Sequence, residues 1–259
     1  MSVLPRLVAA ADLSDDELID LYEYESGESP WIKANFVVSV DGAIAANGGT
    51  SGALTSPLDQ QVLRLLRELS DVVLVGASTI RAEDYIGIRV SDAGQERRRA
   101  RGMAPTPPIA VVTGRADLDP NARIFTNTSV PPIILTTTTA STTAKRNLET
   151  AGAHVVELGA HSITTTAIVD TLSSFGHRRI VTEGGPTLVG QLAADHALDE
   201  LCITTAPTVL SGTSVRLTHS ERPASLAMDC KHIIFDADGA QLARWVRRKN
   251  SWVPNATRY

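Results

Sequence analysis

Three glycine-bearing segments combine residue types that could hold a phosphorylated ligand. The first runs Ser39-Val40-Asp41-Gly42-Ala43-Ile44-Ala45 into Asn47-Gly48-Gly49-Thr50-Ser51-Gly52 and leaves the carboxyl end of an expected strand. Open α/β sheets bind ligands at such ends, although Asp-Gly also describes a plain turn. The second is Val75-Gly76-Ala77-Ser78-Thr79-Ile80-Arg81-Ala82-Glu83-Asp84. It sets amides and hydroxyls at a helix start, which suits an anion and equally suits an ordinary capped β–α turn. The third is Val181-Thr182-Glu183-Gly184-Gly185-Pro186-Thr187-Leu188. Its glycines let backbone pass close to a ligand, and Pro186 fits a first helical turn. Free amides and the helix dipole there favour a pyrophosphate. G-x-G-x-x-G is absent, so this is not the Rossmann pattern.

The elements that must position these segments follow from periodicity. Strand patterns fall at 31–40, 72–75, 109–113, 133–136, 154–157, 179–182 and 200–205, with helical patterns at 57–69, 141–151, 164–175 and 186–195. Their alternation predicts an α/β fold, a mostly parallel central sheet flanked by helices. Residues 232–236 and 241–248 flank Ala237-Asp238-Gly239, which predicts an antiparallel hairpin at the C-terminal end. Residues 1–29 read as an appendage, with a short helix capped by Ser14 and Glu17, and 30–259 as the main domain. Residues 91–107, with Arg97-Arg98-Arg99, read as a mobile surface loop.

Composition narrows the function classes. A hydrophobic share of 43% supports a sizeable core, and a net charge of -5 offers no basic field for nucleic acid or an anionic membrane. No stretch reaches transmembrane length. Cys202 and Cys230 read as reduced thiols of a cytoplasmic protein, and no Cys/His spacing suggests a metal site.

Taken together, Ser39-Val40-Asp41-Gly42, Thr55-Ser56-Pro57, Val75-Gly76 with Thr79, and Glu183-Gly184-Gly185-Pro186-Thr187-Leu188 resemble the reductase domain of the bifunctional riboflavin-biosynthesis deaminase–reductase family. Ala206-Pro207 and Leu210-Ser211-Gly212 extend the resemblance, which spans residues 31–248. It implies a dihydrofolate-reductase-like fold and NADPH as cofactor. Val37, Thr79, Glu83, Thr113 and residues 185–191 would line the cofactor site, with Gly184, Gly185, Pro186, Thr187 and Leu188 around the pyrophosphate. Ser51, Arg67 and Glu183 would face a small-molecule substrate, Arg67 holding its phosphate. Arg115 could hold the cofactor 2′-phosphate, a reading from chemistry alone that a surface arginine matches equally. Three positions depart from the family: Asn35 stands where bacterial members often carry Lys, with Lys33 on the same strand face; Ala53 replaces a frequent Trp; and Ala82-Glu83-Asp84-Tyr85 replaces Ala-Asp-(Asp/Asn)-Pro. No H-x-E with P-C-x-x-C occurs, so the family's zinc deaminase half is not expected in these residues.

The resemblance implies a 5-amino-6-(5-phosphoribosylamino)uracil reductase-like oxidoreductase acting on a ribosylaminopyrimidine phosphate. No residue identifies itself as the proton donor; Glu183 and Asp84 are the candidates. A dihydrofolate or pterin reductase, with Asp84 or Glu83 on the ring's amidine edge, is the second reading. A non-catalytic NADPH-binding protein is the third. The family's members often pair, so a homodimer is expected, with the strand at 201–205 and the final hairpin as its face.

Overall fold

The computed structural model describes residues 4–25, 27, 29–46 and 50–248. Asn47, Gly48 and Gly49, the centre of the first glycine-rich segment, lie outside the described residues, as do those after 248. Val72, Val73, Leu74 and Val75 have no exposed surface, as an uninterrupted apolar run requires. They form β3 (Val72–Gly76), parallel to β7 (Arg179–Thr182) on one side and β4 (Ile109–Val112) on the other. The other strands are β1 (Arg6–Ala9), β2 (Trp31–Ser39), β5 (Ile133–Thr136), β6 (His154–Glu157), β8 (Glu200–Ala206), β9 (Met228–Phe235) and β10 (Gln241–Arg247). The ten run in the order β1-β9-β10-β8-β2-β7-β3-β4-β5-β6. Among the described residues only the β9–β10 and β10–β8 pairs are antiparallel. The expected α/β architecture, with its closing hairpin turned at Asp238-Gly239, is present.

Helices cover both faces. One face of the sheet packs under α1 (Asp15–Tyr22), α2 (Pro57–Leu69), α3 (Ala77–Ala82) and α6 (Thr142–Thr150), through Leu18, Leu66, Ile80 and Leu148 against Val73, Val75 and Val111. The other packs under α7 (Thr165–Ser174) and α8 (Pro186–Ala194), through Ile168 and Leu192 against Val72, Leu74 and Ala110. The period-two alternation of β3 thus feeds two cores. Two further short helices are α4 (Asp92–Ala100) and α5 (Arg123–Thr126). Among the described residues no helix is long and apolar enough to cross a membrane.

The stretch expected as a mobile loop instead holds α4, capped by Ser91. Three consecutive arginines suggested solvent, but Arg98 is 1% exposed. Its guanidinium donates to the carbonyls of Ser70 (2.7 Å), Glu68 and Ala104 (2.6 Å), so it satisfies groups left open where α2 ends. The N-terminal residues join the same sheet and core. β1 pairs with β9, and Leu18, Ile19 and Tyr22 are buried in the larger cluster. The Ser14–Glu17 capping box forms as expected.

A buried ionic cluster fixes that N-terminal helix. Glu200 has no exposed surface, and it accepts from Arg244 (2.7 and 2.8 Å) and the Trp31 indole (2.8 Å), with Lys33 Nζ at 3.2 Å. Lys33 donates to the Tyr22 carbonyl (2.6 Å) and Arg244 to the Leu21 carbonyl (2.7 Å), both at the C-terminal end of α1. Burial pushes the Lys33 ammonium below its ordinary value, and Glu200 opposes that shift. Lys33 is therefore spent inside the fold, on the far side of Asn35 from the strand's carboxyl end. Burial also lowers His232 beside this cluster to about 4, so it is held neutral. Glu200→Ala leaves two buried cations uncompensated. The expected cost is about 3–5 kcal/mol, read by chemical denaturation; a loss under about 1 kcal/mol would show the cluster to be dispensable.

Candidate active site

The carboxyl ends of β2, β7 and β3 lie side by side, as parallel pairing demands. A cavity of about 760 Å³ opens there, between α2, α3 and residues 83–89. Its lining brings together Val37, Ser51, Arg67, Thr79, Glu83, Asp84, Glu183, Gly185 and Pro186. The second and third glycine-bearing segments meet at the floor. The Gly76 amide donates to the Gly184 carbonyl (2.7 Å), and a Cβ on Gly76 would lie 3.3 Å from the Gly185 nitrogen. Gly184 has φ +99°, and a Cβ on it would lie 3.1 Å from the Phe36 ring. A side chain at Gly185 would meet Thr79 Oγ1 at 2.9 Å. The Gly184–Gly185 peptide is cis. No side chain caps α8, so its first amides have no side-chain partner.

Glu183 is the centre of the polar wall. Arg67 donates to it through Nε (2.6 Å) and Nη2 (2.7 Å), and the Tyr85 hydroxyl donates to Oε2 (2.6 Å). Burial works against the Arg67 charge, but the Glu183 carboxylate more than offsets this and raises its pKa. Burial, reinforced by Glu183, also raises the Tyr85 phenol, which stays protonated as a donor. With three donors on its carboxylate, Glu183 is arranged as an anchor and acceptor rather than as a free acid. Asp84, the other candidate proton donor, is 64% exposed at the mouth and paired with Arg123 (2.8 Å). Glu83 accepts the Ser51 amide (2.8 Å) and so ties the first segment to the second.

Other expected site residues lie outside this cavity. Thr113 is buried at the end of β4, where its hydroxyl donates to Asp117 (3.2 Å). Arg115 and Arg81 also bond Asp117, at 2.9 and 3.4 Å. Thr187 is exposed and lines a second groove with residues 162–166 and Gln191. Leu188 packs into the core, and Gly184 forms the floor beneath Gly185. Asp41 serves the loop itself. It accepts from the Ser39 hydroxyl (2.5 Å) and the Leu210 and Ser211 amides, which together hold its carboxyl at about 2.

Several lining residues escaped the sequence reading. Arg64 lies one helical turn before Arg67, a spacing that places both on one side of α2. Arg89 comes from the loop after α3 and Arg123 from the start of α5, so they could be found only in three dimensions. Tyr85 was visible as a departure from a family pattern but not as a partner of Glu183. Asp59 is 5% exposed at the cavity wall, where the Thr55 hydroxyl donates to its Oδ2 (2.5 Å). Among the described residues, no group of three or more His, Cys, Asp or Glu side chains is placed to hold a metal.

Tyr85→Phe removes one of three donors from a nearly buried carboxylate, while Arg67→Met removes two and the compensating charge. Expected losses of stability are about 1 kcal/mol for the first and about 3 kcal/mol for the second. Equal losses in urea denaturation would show that Arg67 does not compensate Glu183.

The comparisons with known proteins agree with this geometry. Residues 30–242 match the model of the RibD C-terminal domain. The chain is 27% identical over 183 residues to the 2,5-diamino-6-ribosylamino-4(3H)-pyrimidinone 5′-phosphate reductase of Archaeoglobus fulgidus, covering 71% of this chain and 83% of that one. It spans about half the length of the RibD relatives it also matches. Its fold is shared with a pyrimidine reductase-like protein from Corynebacterium diphtheriae, at TM-score 0.80 and 18% identity, covering 90% of this chain and 99% of that one. It is shared also with the diaminohydroxyphosphoribosylaminopyrimidine deaminase/5-amino-6-(5-phosphoribosylamino)uracil reductase of Thermotoga maritima, at TM-score 0.63 and 18% identity, covering 85% of this chain and 57% of that one. A cavity floored by Gly76, Gly184 and Gly185 and walled by Arg67 and Glu183, with a family match over most of the sequence, places this chain in the RibD C-terminal domain family.

Proposed function

We propose that this protein is an NADPH-dependent reductase of riboflavin biosynthesis, acting on a ribosylaminopyrimidine 5′-phosphate. The observation that carries the reading is one cavity that brings the uncapped start of α8 and Thr79 together with Arg67, Glu183 and Tyr85. The three glycines of the floor are required by its own packing, since a Cβ on each would crowd a neighbouring protein atom, and the floor they leave beside the start of α8 suits a dinucleotide. When bound, NADPH would supply a hydride to the sugar C1 as the ring C1–O bond opens, with a proton from water going to the released ring oxygen to leave the ribitylamine. The residues of the chain bind and orient. The α8 amides and Thr79 take the pyrophosphate end. Arg115 and Arg81, which share one carboxylate at the end of β4, take the 2′-phosphate in place of Asp117. Arg64, Arg89 and Arg123 ring the mouth, where a substrate phosphate would be drawn in. For the pterin reading, Asp84 is exposed and paired with Arg123, and Glu83 already accepts the Ser51 amide.

The protein also presents a face suited to a second copy of itself. Leu201, Ile203, Ala243, Trp245 and Ile233 line up across β8, β10 and β9 and are only half-buried. This is consistent with a homodimer through the final hairpin. Light scattering should give twice the chain mass, and Trp245→Lys should return it to a monomer; a monomeric wild type would remove the proposal.

The functional test follows oxidation of NADPH and of NADH by the purified protein, with a ribosylaminopyrimidine phosphate or dihydrofolate offered. Turnover of the pyrimidine is expected, with NADPH preferred. Arg115→Ala should weaken that preference about tenfold while leaving NADH oxidation unchanged. Reduction of dihydrofolate alone would overturn the substrate assignment, and no turnover with either would overturn the enzyme assignment.

A further inference from the structure

Four carboxylates line the cavity, and each accepts at least one hydrogen bond from the protein. Glu183 is held by Arg67 and Tyr85, Glu83 by the Ser51 amide, and Asp84 by Arg123. Asp59 differs. It is as buried as a core residue, yet among the described residues no cation pairs with it. Among the described residues its Oδ2 accepts the Thr55 hydroxyl, no hydrogen bond reaches its Oδ1, and the residue lines the cavity. The carboxylate sits in the first turn of α2, whose dipole favours a negative charge there. A buried acceptor left open toward a ligand cavity is satisfied when the ligand brings donors.

We propose that Asp59 recognises the 2-amino edge of the substrate ring, and so selects a 2-amino-4-oxopyrimidine over the corresponding uracil. The assignment rests on the reductase reading above. In a 4(3H)-pyrimidinone, N3–H and the C2 amino group point the same way and offer two parallel donors to one carboxylate. In the uracil, C2 carries an oxygen instead. That edge has a single donor between two carbonyls, so a carboxylate would face a lone pair across one of its two contacts. The two chemistries are those in the names of the Archaeoglobus and Thermotoga reductases.

The axis of α2 gives independent support. Asp59, Leu63 and Arg67 lie at positions i, i+4 and i+8 on one helix face, and all three line the cavity. The helix therefore presents an acceptor, an apolar stretch and a cation in a row about 12 Å long. A ribosylaminopyrimidine phosphate has the matching order: a donor-bearing ring, a sugar and an anion. Arg64, one turn before Arg67, adds a second cation to that end of the row. With its ring at Asp59, the ligand would keep its phosphate near Arg67, and the sugar C1 would pass along Leu63 between them.

The same ring edge occurs in pterins, so the experiment needs three substrates. Steady-state kcat/KM is measured with the 2,5-diaminopyrimidinone ribosyl phosphate, the 5-aminouracil ribosyl phosphate and dihydrofolate, for the wild type and Asp59→Asn. The wild type is expected to favour the diaminopyrimidinone over the uracil by roughly 100-fold. In Asp59→Asn the side chain offers one acceptor and one donor, which matches the uracil edge. Its kcat/KM should fall on the diaminopyrimidinone, chiefly through KM, and rise on the uracil, so that the ratio inverts. A wild type that prefers the uracil overturns the proposal without any variant. A ratio unchanged in Asp59→Asn also overturns it while leaving the reductase reading intact. Turnover of dihydrofolate alone, lost in Asp59→Asn, would sink the ribosyl substrate and support the edge assignment. Turnover of none of the three overturns both.

Discussion

A carboxylate taken out of water at the end of a strand needs compensation, and the Arg67–Glu183 pair is where this protein meets that demand. Because Arg67 stands near the end of α2 and Glu183 just past β7, their two-pronged bond fixes the helix over the strand ends. Tyr85 adds the loop after α3 to the same carboxylate. Three elements distant in sequence are thereby held around one cavity. The pair is an anchor first, and its remaining guanidinium N–H groups are what a ligand would meet.

Close backbone approach is the second constraint. The Gly76 amide donates to the Gly184 carbonyl, and the close approach leaves little room for a Cβ at Gly76, Gly184 or Gly185. The glycines are therefore explained by the floor of the cavity, before any ligand is considered. The same geometry leaves the start of α8 uncapped, so packing and binding are served by the same residues.

Away from the cavity, charge is used to join segments. Glu200 gathers Lys33, Arg244 and Trp31, and the two cations reach onward to the last carbonyls of α1. Arg98 does the same for the carbonyls around the end of α2. Both helix ends are buried, and at both a cation from another segment supplies the missing donors. Such cations are costly to bury alone, which is why each is ringed by acceptors. They make residues 6–24 and 92–100 integral to the fold, although residues 92–100 have little apolar content of their own.

The amino-acid sequence by itself determined the alternation of strands and helices, because periods of two and 3.6 are local properties of the chain. It also determined the glycine positions, since only glycine permits that approach, and their grouping into a recognisable family pattern. Arg67, Glu183, Ser51 and Thr79 were legible for the same reason. What only the tertiary structure decided is which charges meet. Nothing local distinguishes Arg98, buried on carbonyls, from Arg97 and Arg99 beside it, and nothing local separates Asp59, open to the cavity, from Asp84, exposed and paired. The difference lies in the dielectric and the partners that surrounding elements bring. Both are set by residues as far apart as Arg67 and Glu183, so no window of sequence contains them.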